Sequence, residues 1–204
     1  MNTPKEYYED LALRTLRHFV SHSFDEYVRI DRPDLQNVRL KIGVEVVRGI
    51  SSSDGLYDSF VKNEFNKDNS DEYLVQKAAK QKVKMILLKD ESFRAITAGT
   101  GCNTERKRIF ARRVNDKIRK SANYEGFTRV DIYVFCEFSI FNIRDFMEVG
   151  NNIVIDGNPR NVYFDCVNRI FELSLPTKSI RCLEFDMSIR AQDIQFLDKE
   201  HNVH

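Results

Sequence analysis

Two acidic residues have the type and spacing to do chemistry. Asp34 follows Pro33 in a turn-prone segment, and Glu45 lies eleven residues on, inside the run KIGVEVVRGI at 41–50. Val, Ile and Gly dominate that run, so it predicts a short strand. Side chains in a strand alternate faces, which puts Ile42, Val44 and Val46 on one face and Gly43, Glu45 and Val47 on the other. A carboxylate among β-branched residues is costly to bury unless it is paired or bound to a cation. Pro33 keeps the local chain extended or turned, so a hairpin-like return at 36–40 would set Asp34 beside Glu45. Two hard oxygen ligands on neighbouring strands would make a small cation site for Mg²⁺ or Mn²⁺. The competing reading is an Asp in a turn and a Glu on the exposed face of an edge strand.

Two helices could complete such a site. The first is predicted over 4–20, with Thr3 as N-cap, Pro4 at the first helical position and Glu6 closing a Thr-x-x-Glu capping box. Leu13, Leu16 and Val20 form its apolar stripe, and Glu9 continues that stripe towards the N-terminus as a further ligand or base. The second is predicted over 104–123, TERKRIFARRVNDKIRKSAN, where Phe110, Val114 and Ile118 repeat every four residues and face the core. At 100° per residue, Arg106, Arg113, Lys117, Lys120 and Tyr124 share an arc beside that stripe. Such a row of cations ending in an aromatic suits the tracking of phosphates, with Tyr124 packing on a sugar or base. His18 and His22 have a chelating spacing, but the sequence supplies no third zinc ligand.

Pro33-Asp34 followed by Glu45 on an apolar strand resembles the PD-(D/E)XK nuclease superfamily, over about residues 3–141. One position departs: the motif lysine would fall two residues after Glu45, where this chain has Val47. The resemblance implies an α/β, restriction-endonuclease-like fold, a mixed central sheet flanked by helices. It implies a metal-dependent endonuclease hydrolysing phosphodiester bonds, with DNA as the expected substrate, in a restriction, repair or mobile-element system. Asp34 and Glu45 would hold the Mg²⁺, and Glu9 matches a Glu often placed on the first helix. In some members the lysine has migrated to the helix after the metal strand, which makes Lys117 and Lys120 its candidates here. Without such a replacement, the alternatives are an inactive relative that binds nucleic acid, or a protein-interaction module such as an inhibitor or assembly subunit.

At 204 residues the chain is expected to form one domain. Its core would occupy about 3–50 and 104–141, with a helical insertion at 51–103 and extra C-terminal strands within 142–204. In the insertion, helices are predicted at 56–65 and 73–83, and a loop at 98–101. Strands are predicted at 24–29, 129–141, 153–155, 162–175 and 181–187, with a short helix at 142–149 and frayed histidines at 201 and 204. The run RVDIYVFCEFSIF at 129–141 is apolar enough for a central strand covered on both sides.

The net charge of +1 excludes a generally basic protein, so nucleic-acid binding must come from local clustering. No apolar run approaches the ~20 residues of a membrane span, and the N-terminal MNTPKEYYEDLALR has acids where a signal peptide would be apolar. Cys102, Cys136, Cys166 and Cys182 lack Cys-x-x-Cys spacing and read as reduced thiols, in keeping with a cytoplasmic protein. A homodimer or a protein partner would suit cleavage of two strands.

Overall fold

The computed structural model describes residues 4–49, 70–80, 84–87, 94–97, 103–136, 141–166 and 168–201. The chain divides into two compact units, Met1–Gly49 with Phe110–His204, and Ile50–Ile109. The fold is mixed α/β. In the larger unit the first helix, α1 (Pro4–Thr15), precedes three strands, β1 (Val28–Arg29), β2 (Leu35–Asn37) and β3 (Ile42–Arg48). The smaller unit contains α2 (Asp71–Lys80) and an antiparallel pair, β4 (Lys84–Leu87) with β5 (Arg94–Thr97). Its expected helix at 56–65 and loop at 98–101 lie outside the described residues.

Helix α3 (Asn103–Ser121), whose residues from Phe110 onward belong to the larger unit, leads into β6 (Arg129–Phe135). Then come α4 (Ile143–Asn151), β7 (Arg160–Cys166), β8 (Arg169–Leu175), β9 (Ser179–Glu184) and α5 (Met187–Glu200). The seven strands described in the larger unit form one sheet in the order β1-β2-β3-β6-β7-β8-β9. Strands β3, β6 and β7 run parallel, and the outer pairs on each side are antiparallel.

Strand alternation decides which helix covers which face. Val44 and Val46 of β3 pack with Leu11 and Leu16 and with Leu197 of α5. Val47, on the opposite face, packs on a cluster with Phe110, Val114 and Ile118 of α3 and Phe146 of α4. β6 lies fourth of the seven strands and contributes Tyr133 to one face and Ile132 and Val134 to the other. That is the doubly covered central strand its apolar composition requires.

Several predicted elements end elsewhere. After Thr15 the first helix widens into a π turn at Leu16–Val20, closed by Ser21 N–H donating to Leu16 O at 3.1 Å. Arg17 then donates to the carbonyls of Phe24 and Tyr27, pinning a 3₁₀ turn at His22–Glu26 where a strand was expected. The apolar run at 162–175 folds as a hairpin of β7 and β8 rather than one strand. Residues 153–155 pair with no strand among the described residues; Asn115 Oδ1 accepts Val154 N–H at 2.8 Å instead. The C-terminal extension is not strands alone, since Asp186 caps α5 by accepting from Ser188 N–H. His201 is not frayed: it is buried, 3.1 Å from Asp10 Oδ2 and edge-on to Tyr7.

Candidate active site at the open edge of β3

The two acids meet where β2 stops and β3 runs on. Leu35 lies opposite Val44 in the antiparallel register, so one step further Asp34 falls opposite Glu45. Beyond that point Val46 N–H would lack a ladder partner, and Asp34 Oδ2 accepts it at 2.8 Å. Pro33 brings the chain back over the strand so closely that a Cβ on Gly43 would stand 2.0 Å from its Cγ. A glycine there is therefore a steric requirement of the approach.

Both faces of the sheet send a lysine to this edge. From α3, Lys117 donates to Glu45 Oε2, and its Nζ lies 3.7 Å from Asp34 Oδ2. From α1, Lys5 Nζ lies 3.1 Å from Asp34 Oδ1 and 3.1 Å from Glu9 Oε1. Tyr124, just past α3, donates its hydroxyl to Glu45 Oε1 at 2.7 Å. Asp34, Glu45 and Glu9 are 4%, 2% and 5% exposed, so three carboxylates sit out of water against two ammonium groups. Glu9 Oε1 has the Lys5 ammonium as its ion-pair partner at 3.1 Å and accepts no other hydrogen bond among the described residues.

Burial raises the pKa of Glu9, and the nearby Asp34 charge adds to the rise while Lys5 opposes it; the carboxyl is pushed up to about 7. Burial alone would lower Lys5, but Glu9 and Asp34 outweigh it and raise its pKa. Burial raises the Tyr124 hydroxyl, and its bond to Glu45 holds the proton further.

Asp34, Glu45, Glu9 and Lys117 are thus brought together, and Tyr124 joins them. The Tyr124 hydroxyl holds an acid, where a sugar or base was the expected partner. Lys120 is exposed and makes no ion pair with either acid among the described residues. Arg113 is half-buried with contacts of its own, and Arg106 falls in the smaller unit. The sequence reading missed Lys5, although its spacing of one helical turn before Glu9 was the available signal. The two helical histidines do not chelate: His18 Nδ1 lies 2.8 Å from Asp193 Oδ2, and His22 pairs with Asp25. Cys136 and Cys166 are buried and Cys182 is exposed, while Cys102 lies outside the described residues.

Among the described residues, no group of three or more His, Cys, Asp or Glu is arranged to hold a metal ion. The chemistry of the donor set still fits magnesium, which typically takes one or two carboxylates and fills its remaining positions with water and substrate phosphates. The buried Glu9 oxygen beside Asp34, held only by the Lys5 ammonium, is a further hard donor of the kind such an ion prefers. No helix among the described residues is long and apolar enough to cross a membrane. Comparison with protein-family models, curated proteins and solved structures gives no match to this chain.

Proposed function

We propose that the chain is a restriction-endonuclease-like, Mg²⁺-dependent nuclease that hydrolyses phosphodiester bonds, with DNA as the expected substrate. The observation that carries this reading is that one ammonium, Lys117 Nζ, reaches both Asp34 and Glu45 at a sheet edge. A lysine in that place can do what Val47 cannot, which is to orient a water and offset charge that develops on the phosphate. Asp34 and Glu45 would hold the Mg²⁺, which when bound polarises the scissile phosphate and lowers the pKa of water. Glu9, with its carboxyl near neutrality, is suited to take the proton of the attacking water. Lys5 lies outside the acids, largely exposed, and its charge favours approach of a phosphate backbone.

The test is cleavage of labelled single- and double-stranded DNA with Mg²⁺ or Mn²⁺, alongside Asp34→Ala and Glu45→Ala proteins whose fold is checked by circular dichroism. Cleavage by the wild type that both variants lose supports the reading; no cleavage under any condition, with no metal uptake by calorimetry, overturns it. A second reading, an inactive relative that binds nucleic acid or a protein partner, is favoured by one specific feature. Glu45 is already held by both Lys117 and Tyr124, and Asp34 by Val46 N–H and Lys5. Salt-sensitive nucleic-acid binding that survives loss of both acids, without cleavage, would select that reading.

A further inference from the structure

A cavity of about 480 Å³ opens where the carboxyl ends of β6 and β7 meet α1 and α5. That volume lies within the range of about 300–1,000 Å³ usual for small-ligand pockets. Tyr8, Leu11, Phe135 and Ile194 make its walls largely apolar, and the buried pair Arg190–Asp165 supplies polar atoms. Tyr8 also borders a second cavity, of about 210 Å³, which is lined by Lys5, Glu9 and Arg48. The Arg48 guanidinium sits over the Tyr8 ring, 4.5 Å from its centroid. One aromatic side chain therefore separates the cations and acid of the proposed phosphate site from a roomy apolar slot.

That sequence of surfaces matches the chemistry of a nucleotide: an anionic phosphate attached to a flat ring with apolar faces and a polar edge. We infer that the larger cavity receives one unpaired base of the strand whose phosphate lies at the Lys5–Glu9 side. The preferred substrate is then single-stranded, or carries a base free to leave its stack. A base inside a duplex has both faces covered and must be extruded before it can enter, which disfavours intact duplex. Stacking on an aromatic is worth roughly tenfold to a hundredfold in affinity per base and tolerates any base. The inference rests on the proposed phosphate-directed role of the acidic site.

The test uses the full chain with a chelator present, so that nothing is cut. Fluorescence anisotropy compares a labelled single strand with the same strand in a duplex. Ala191 and Met187 line the cavity and are exposed, so Ala191→Trp and Met187→Trp obstruct it without disturbing the core, each checked by its melting curve. The expected result is a single-strand preference of about tenfold or more in the wild type, reduced to the duplex level in both variants. Equal affinity for the two forms, or variants that bind as the wild type does, overturns the inference. Cleavage assays with Mg²⁺ then separate the two readings. If single strand and duplex are cut alike by wild type and variants, the nuclease reading stands and the base cavity falls. If the cavity-dependent preference appears but nothing is cut with either metal, the cavity stands and the nuclease reading falls. Absence of any nucleic-acid affinity at low salt removes both.

Discussion

Two groups of buried acids in the larger unit are satisfied differently. In the core, Asp165 Oδ2 accepts from Tyr133 at 2.6 Å and from Arg190 at 2.7 Å. Arg190 also donates to Thr15, which in turn donates to the Leu11 carbonyl at 2.7 Å. Burial raises the Tyr133 hydroxyl well above its usual range, so the network keeps its protons. At the edge of β3, three acids share two lysines, and Glu9 Oε1 has only its ion pair with Lys5 among the described residues. A network with every partner in place rigidifies a core; an arrangement with charge and donors to exchange is the better candidate for chemistry. The difference marks the edge of β3, rather than the Asp165 network, as the arrangement to test for hydrolysis.

The strongest way to break that contrast is to open the core network. Arg190→Ala leaves Asp165 buried without its cation and is expected to destabilise the fold by about 3–5 kcal/mol, read from urea unfolding. Next in size, Lys117→Ala removes a preorganised charge from the edge site. Its single-turnover cleavage rate should fall roughly 10²–10³-fold, about 2.7–4 kcal/mol of barrier, with a smaller loss for the exposed Lys120→Ala. If Lys117→Ala cuts at the wild-type rate, the edge site has no more claim to chemistry than the core network.

The third prediction concerns pH. The Glu9 carboxyl is raised from 4.5 to about 7 in the folded protein, where Lys5 of its own helix and Asp34 face it. Between those pH values the folded state holds more protons than the unfolded chain, so stability falls as pH rises through the window. Glu9→Gln should remove that fall in metal-free urea titrations at pH 4.5 to 7.5. A wild type as pH-insensitive there as the variant would contradict the account. The smallest effect is expected for Tyr124→Phe, which deletes one half-buried hydrogen bond to Glu45. About 1 kcal/mol of stability should be lost, and a change below the error of the unfolding curve would show the bond to be incidental.

The edge site was legible because its determinants are local. Pro33 and the alternating run around Glu45 set the hairpin register, and the period of Phe110, Val114 and Ile118 turns Lys117 towards the sheet. The spacing of Lys5 before Glu9 pointed to that pair alone; its contact with Asp34 depends on the return of the chain through Pro33, which spacing along one helix does not reveal. The end of α1 was misplaced for a related reason: Arg17 reaches ten residues ahead to the Tyr27 carbonyl, a tertiary contact that outweighs helical periodicity. Helix α5 escaped because its apolar residues do not share one face; Met187, Ile189 and Phe196 are exposed while Asp193 and Arg190 are buried. A polar face turned inward leaves no amphipathic signal. The split of 162–175 into two strands is equally invisible to composition, since both strands are covered by the same apolar layers.

Asp34 does more than carry charge, because the main-chain amide of Val46 is bonded to it and, among the described residues, to no neighbouring strand on that side. Solvent exchange of that single proton is thereby tied to the placement of the acid. Deuterium uptake at Val46 becomes an internal gauge of the edge, slow while the carboxylate is docked and faster whenever it swings away to meet another charge.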